Sequence, residues 1–232
     1  MSTTESVIDV TVALGKGVYS VGEDIVLGIN RTGEGLGLGE DGRSATIGNE
    51  NKAMVSLVEN IIQYGINDKR SPLYKAILYI LENYYTYFPD DAITYLSKKA
   101  GIGAGYTAGR MVIGKKLVTV VAMKISAAIA VSAAYKQVAK RIGVSASATA
   151  TGIGAPIGLL MAQGLMQRSS VASLRLKSKS PKLYSILRKN GDLQMLYFLL
   201  EKPMNKHVEA ISIAERDVKK IQRIISKKYK LK

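Results

Sequence analysis

The chain has 232 residues, contains no cysteine and only one histidine, and carries a formal net charge of +15. The missing cysteines exclude disulfide frameworks, thiolate zinc sites and a cysteine nucleophile. The positive charge indicates an anionic partner, which is nucleic acid, an acidic protein or an anionic membrane surface. Hydrophobic residues make up 47% of the chain, which is enough for a sizeable core.

The charges are segregated along the chain. Residues 1–68 hold ten acidic and four basic residues, whereas residues 69–232 hold eight acidic and 29 basic ones. No Asp or Glu occurs between Ala92 and Gly191, although an ordinary soluble surface mixes both signs. A glycine-rich segment at residues 33–42 suits a linker. We therefore predict an acidic, Gly-rich N-terminal region at residues 1–48 and a basic helical domain at residues 49–232 with a hydrophobic hairpin at residues 117–166.

Apolar residues recur at three- and four-residue steps along most of the chain, which predicts helices. Five tyrosines in the second clear helix suit a partly buried position in a helical core, which we favour, or a membrane interface. No alternating strand pattern occurs, so the predicted class is all-α, a helical bundle enclosing a Gly/Ala-rich hydrophobic hairpin. The helices outside the centre are predicted at residues 4–30, 50–66, 71–88, 90–99, 181–190, 192–201 and 204–229, with a polar basic connector at residues 168–180.

Two apolar runs occupy the centre of the chain. Residues 117–134 carry one charge, Lys124, and residues 143–166 carry none. A membrane-spanning helix needs about 20 apolar residues, and both runs are marginal because Ser, Thr, Gly and Ala add little hydrophobicity. Marginal hydrophobicity suits a segment that is folded in water first and inserted later. Pro156 is predicted to kink the second run.

Small residues in both runs are four positions apart, which places them in one stripe on each helix. Such stripes let helix backbones approach closely, either in a membrane or in a soluble bundle. We favour the membrane interpretation because the same region lacks carboxylates. The two stripes are Ala122, Ser126, Ala130 and Ala134, and Ala146, Ala150, Gly154, Gly158 and Ala162.

The predicted site residues follow from this interpretation. Basic residues beside apolar spans bind anionic headgroups, and an exposed apolar hairpin in water would promote aggregation. The predicted membrane-inserting residues are Leu117, Val121, Ala130, Ala134, Ala150, Gly154, Gly158, Leu160 and Ala162. The predicted lipid-contacting cations are Lys115, Lys116, Lys136, Lys140, Arg141 and Arg168. Before insertion we expect that the chain itself or a bound partner buries Ala127, Ile129, Val131, Ile157, Leu159 and Leu160.

Catalytic patterns are weak. The glycines at residues 101–109 follow a polar segment rather than a strand, which argues against a dinucleotide site. We interpret His207, on a basic helix, as a surface residue. Metal chemistry needs clustered carboxylates or histidines, and the acidic N-terminal residues show no diagnostic spacing. We therefore predict neither an enzyme nor a cofactor nor a metal site, and an enzymatic toxin is the least favoured alternative.

A helical bundle that hides an Ala/Gly-rich apolar hairpin resembles the channel domains of colicin-type pore-forming antibacterial toxins. The resemblance covers roughly residues 50–232 and lies in the runs at 117–134 and 143–166 with their basic link at 135–142. The size and the absence of a recognisable signal peptide also resemble small type VI secretion effectors that depolarise rival bacteria. One departure is that this hairpin lies in mid-chain, whereas colicin hairpins lie near the C-terminus and follow receptor and translocation regions.

The resemblance implies an antibacterial effector that inserts its hairpin into a target membrane and conducts ions. It also implies an anionic lipid partner, a cognate immunity protein and a secretion-system component. We expect the chain to be soluble in the producer cytoplasm and then delivered to the target-cell membrane without a signal peptide. The alternative is a basic helical nucleic-acid-binding protein that uses the Lys/Arg face of residues 215–232, for which binding would depend steeply on salt.

Overall fold

A computed structural model describes residues 30–31, 44–102, 110–131 and 155–229. These residues form eight α-helices and one short 3-10 helix without a strand, which confirms the predicted all-α class. The predicted helix at residues 4–30 lies outside the described part except for its last residue. The helices are α1 (Ser44–Tyr64), α2 (Pro72–Thr86), α3 (Asp90–Lys99), α4 (Arg110–Ala130), α5 (Ala155–Lys179), α6 (Pro181–Lys189), the 3-10 helix (Leu193–Leu196), α7 (Tyr197–Arg216) and α8 (Val218–Tyr229).

Helix α2 lies at the centre of the bundle. Its Pro72 occupies the first turn, where a missing backbone N–H costs nothing. Leu73, Ile77 and Ile80 are fully buried, and α2 packs against α4, α7, α6, α1 and the 3-10 helix. One continuous apolar cluster joins residues from all the helices. Each fully buried side chain of this size stabilises the fold by roughly 1.5–3 kcal/mol.

Helix α3 has the bounds that the sequence predicts. Asp90 and Asp91 lie in its first turn, and Lys98 and Lys99 lie in its last turn. This order complements the helix dipole, which is positive at the N-terminus and negative at the C-terminus. Helix α3 packs mainly against α4.

The predicted connector at residues 168–180 is wrong, because α5 continues as a helix to Lys179. Ser169, Ala172, Ser173 and Leu176 recur at helical spacing and are at most 5% exposed. Serine is small enough to pack in such positions, and the buried Ser169 hydroxyl has a partner because it donates to the Met195 carbonyl oxygen. Pro156 lies in the first described turn of α5, and the preceding turn, where its predicted kink would lie, is outside the described residues.

The predicted break between residues 201 and 204 is wrong as well. Helix α7 runs through Pro203, which is buried, and continues to Arg216. The break falls at Asp217, whose backbone is extended at φ −153°. Asp217 Oδ1 accepts a hydrogen bond of 3.0 Å from the backbone N–H of Lys220, so it acts as the N-terminal cap of α8. The predicted single helix at 204–229 is therefore two helices.

Candidate membrane-interaction site

Helix α4, which contains most of the first apolar run, buries one side against α2 and α3. Leu117, Val121 and Ile125 lie four residues apart and are at most 1% exposed. Ile129 continues this row and is 1% exposed, as predicted. Two of the predicted membrane-inserting residues, Leu117 and Val121, are thus core residues of the folded bundle.

The opposite, water-facing side of α4 also carries apolar residues, with the exposed Lys124 among them. Met123 is 44% exposed, Val131 is 70% exposed, and Ala127 between them is also exposed. The chain itself therefore does not bury Ala127 and Val131, and their burial by a bound partner stays a prediction. The physical reason is that α4 can bury only the side that meets α2 and α3, while its apolar residues continue round the helix. A surface helix of a soluble bundle typically has one apolar stripe and a polar opposite face, so the exposed apolar residues of α4 exceed what packing in the bundle uses.

The small-residue stripe of α4 lies on its buried side. Ala122 is 0% exposed and Ser126 is 1% exposed, while Ala130 is half-buried. The Ser126 hydroxyl donates a hydrogen bond of 3.0 Å to the Met123 carbonyl oxygen, within the helix. In the described residues α4 packs extensively against α2 and α3, and α5 is not among its extensive contacts. The stripe therefore serves close packing within the bundle, away from α5.

Only part of the second run is described. Gly158 and Leu160 are helical residues of α5, and Ala162 is half-buried. The structure does not describe the solvent exposure of four residues in this run, namely Ile157, Gly158, Leu159 and Leu160. The remaining predicted residues of the hairpin and its link also lie outside the described residues, namely Ala134, Lys136, Lys140, Arg141, Ala146, Ala150 and Gly154.

Three of the predicted lipid-contacting cations are described. Lys115 and Lys116 are exposed at the start of the apolar run, which is the accessibility that headgroup contact requires. Lys115 and Glu82 line a groove of about 810 Å³ between α2, α3 and α4. Burial raises the pKa of Glu82, and the nearby Lys115 ammonium partly opposes this rise. Arg168 is half-buried and lines a pocket of about 310 Å³ with Arg175, so it is less accessible than the two lysines.

A buried polar network, which sequence patterns did not indicate, joins residue 31 to α1 and α5. The Arg31 side chain is fully buried. One terminal nitrogen donates to Glu50 Oε2 and Asn51 Oδ1, each at 2.9 Å, and the other donates to Gln167 Oε1 at 3.1 Å. The Ser170 hydroxyl donates to the second Glu50 oxygen at 2.9 Å. The network thus holds the helix of the second apolar run against α1.

The prediction that His207 is a surface residue is wrong, since it is 3% exposed. Helix α7 turns His207 to the same side as the fully buried Val208. The His207 ring lies edge-on to Tyr84, with 4.9 Å between ring centroids, and Tyr84 also contacts Tyr85 and Phe88. Burial raises the pKa of both Tyr84 and Tyr85, and neighbouring tyrosines raise it further. These rings connect α2 to α7.

No helix among residues 30–31, 44–102, 110–131 and 155–229 combines the length and the apolarity that crossing a membrane requires. Within the same described residues, no three His, Asp or Glu side chains cluster as a metal site would need. Comparisons of the chain with protein-family models, with curated proteins and with solved structures found no match.

Proposed function

We propose that this chain is a pore-forming antibacterial toxin. It folds as a helical bundle, meets an anionic membrane, inserts residues 117–166 as a helical hairpin and conducts ions, which depolarises the target cell. One observation carries the proposal: the water-facing side of α4 exposes Met123, Ala127 and Val131, with Lys124 as a cation among them, while the opposite side is apolar and buried. The lack of Asp and Glu in residues 92–191 supports it.

Insertion requires α4 to leave α2 and α3. Exposing Leu117, Val121 and Ile125 to water would cost roughly 1.5–3 kcal/mol for each side chain. Lipid chains are about as apolar as leucine, so direct transfer from the bundle to the bilayer avoids most of that cost. The Ser126 hydroxyl keeps its intrahelical hydrogen bond during the transfer. The buried side of α4 is therefore compatible with both environments.

The charges of α4 are compatible with insertion as well. Lys115 and Lys116 precede the apolar run and can stay at the headgroups. Lys124 is exposed in the bundle, and a lysine at the centre of a spanning helix costs about 2.5–3.5 kcal/mol on insertion scales. Its long side chain can reduce this cost by reaching the interface or the water of a pore.

The direct test is ion conductance of the purified protein across an anionic planar bilayer. The structure indicates Ala127→Asp as the key variant, because Ala127 is exposed and the bundle should tolerate the change. A carboxylate at the bilayer centre costs about 2.5–3.5 kcal/mol, so conductance should fall by more than tenfold. Ser185→Asp, at an exposed position of α6, adds the same charge outside the hairpin and should conduct normally. Equal conductance of parent and Ala127→Asp would refute a spanning α4.

The antibacterial part of the proposal needs a test in cells. Directing the chain to the outer side of a bacterial inner membrane should collapse the membrane potential, measured with a voltage-sensitive dye. Ala127→Asp should leave the potential intact. A cognate immunity protein, which this function implies for a producing cell, can be sought among genes that suppress the toxicity.

A second candidate function is nucleic-acid binding, which the exposed cations of α8 favour. Lys219, Lys220, Arg223, Lys227 and Lys228 are all exposed, and phosphate contacts by such residues make binding steeply salt-dependent. Dye release from anionic vesicles without nucleotide or metal supports the pore. Tight binding to duplex DNA or RNA, with no vesicle leakage at any lipid composition, would replace the pore with this second function.

A further inference from the structure

Helix α8 presents an unusually basic surface. The helix Val218–Tyr229 contains no Asp or Glu. Its five cations Lys219, Lys220, Arg223, Lys227 and Lys228 are all exposed. None of these five forms an ion pair with a carboxylate among the described residues. Their charges are therefore available to an anionic partner.

The same surface also exposes apolar side chains. Ile224 is 46% exposed and Val218 is 43% exposed. Lys220 precedes Ile224 by four residues and Lys228 follows it by four, so the helix places a cation on either side of Ile224. Lysine stems can lie along an apolar surface while their ammonium groups stay in water. An apolar side chain among cations is typical of a helix that lies in a membrane interface.

An exposed tyrosine extends this surface beyond α8. The rings of Tyr229 on α8 and Tyr95 on α3 lie 5.7 Å apart between centroids. Tyr95 is 42% exposed, and the Lys99 ammonium lies 6.0 Å from the centre of its ring. Tyrosine is enriched at membrane interfaces because its ring is apolar and its hydroxyl is polar. We name the exposed residues of α8 together with Tyr95 and Lys99 the α8–Tyr95 surface.

We propose that the α8–Tyr95 surface docks the folded bundle on an anionic lipid membrane before α4 inserts. Nucleic-acid phosphates would pair with the cations but would give Ile224 and Val218 no apolar partner. A bilayer offers anionic headgroups to the cations and acyl chains to the apolar residues, so it satisfies both. This inference rests on the proposed function only in taking a membrane as the target, because docking itself requires no pore.

The test measures binding to phosphatidylglycerol-rich vesicles by co-sedimentation. The docking variant combines Lys220→Gln, Arg223→Gln and Lys227→Gln. Each basic residue near an anionic surface strengthens binding about fivefold, so three losses should weaken it on the order of a hundredfold. The control combines Lys52→Gln, Lys75→Gln and Lys189→Gln, which are exposed on α1, α2 and α6 and remove the same charge. The control should bind nearly as the parent does.

Ile224→Ser separates lipid from nucleic acid, because it changes only an exposed apolar side chain. It should weaken vesicle binding severalfold and leave binding to a short DNA duplex unchanged. The proposal is overturned if the docking variant binds vesicles as tightly as the parent. It is also overturned if the parent binds the duplex but no vesicles. A parent that binds vesicles through α8 yet conducts no ions would support docking and refute the pore.

Discussion

Arg31 and Glu50 form an ion pair with 2.9 Å between the guanidinium nitrogen and the carboxylate oxygen, in which the arginine side chain is fully buried and the glutamate side chain is 20% exposed. Glu50 also accepts the Ser170 hydroxyl. The pair therefore connects residue 31 to both α1 and α5. Because a buried guanidinium has lost its hydration, its partners decide whether this arrangement is stable.

Removing Glu50 should destabilise the bundle strongly. Glu50→Ala leaves the Arg31 charge buried without a carboxylate, and breaking a buried pair in this way costs about 3–5 kcal/mol. Denaturant unfolding would measure the loss. Asp68→Ala, which breaks the exposed pair with Arg70, is the control and should change the free energy of unfolding far less. Adding Arg31→Leu to Glu50→Ala should restore part of the loss, because the unpaired charge is gone. Equal effects of Glu50→Ala and Asp68→Ala would contradict the role given to the network.

The exposed pair makes a prediction about acid titration. The Arg70 guanidinium, which donates hydrogen bonds of 3.0 and 2.8 Å to the carboxylate, and the Arg70 backbone N–H, which donates another of 2.8 Å, together lower the pKa of Asp68 from 3.8 to about 2. In Arg70→Gln, we expect the pKa of Asp68 to rise toward 3.8 in an NMR pH series, while the backbone N–H of residue 70 still holds it somewhat lower. Because the folded-state pKa is depressed, the stabilisation is present above about pH 4 and is lost as the pH falls toward 2. An unchanged Asp68 titration in Arg70→Gln would show that the pair does not persist in solution.

Alkaline pH should destabilise the protein through the half-buried Tyr84 and Tyr85. Burial raises the pKa of Tyr84 and Tyr85 above the ordinary tyrosine range, which is near pH 10. Above about pH 10 the unfolded chain releases tyrosine protons that the folded chain retains, so the free energy of unfolding falls as the pH rises. The double variant Tyr84→Phe, Tyr85→Phe should show a shallower fall in denaturant unfolding. If tyrosinate absorbance of the folded parent develops fully near pH 10, these hydroxyls reach water and the prediction is wrong.

Local sequence signals predicted part of this fold well. The amphipathic spacing and Pro72 placed α2, and the charges at both ends of α3 placed that helix with its observed bounds. Such signals act within one or two turns, so the sequence alone is enough to read them. The Ser-rich half of α5 was mistaken for a connector because its serines are polar by composition. Their burial depends on distant partners, such as the Met195 carbonyl for Ser169.

The sequence predicted which residues form the apolar run of the candidate site, but not which of them face water. The apolar run of α4 is evident from the sequence, yet Ile129 is buried while Val131 is exposed. Which side faces water depends on where α2 and α3 dock, and those contacts are long-range. Nothing in the sequence around Arg31 predicted its burial. The guanidinium can be buried only because distant segments supply Glu50 and Gln167 as hydrogen-bond acceptors.

The small-residue stripe of α4 yields a prediction in which the sign of the effect separates two roles. Ala122 is fully buried against the bundle, so Ala122→Leu should overpack the folded state and lower its stability by about 1–3 kcal/mol. Ala127→Leu, on the exposed side of the same helix, adds the same side chain and should leave stability close to the parent.

If the stripe serves only the folded bundle, the loosened Ala122→Leu protein should release α4 more readily and conduct more than Ala127→Leu does. If the stripe also packs helices within the pore, as the membrane interpretation of the sequence predicts, the bulkier side chain separates them. Ala122→Leu should then conduct less than Ala127→Leu despite its weaker fold. Conductance compared at equal amounts of vesicle-bound protein, beside a denaturant titration, distinguishes the two, and a higher conductance for Ala122→Leu would remove the stripe from the pore.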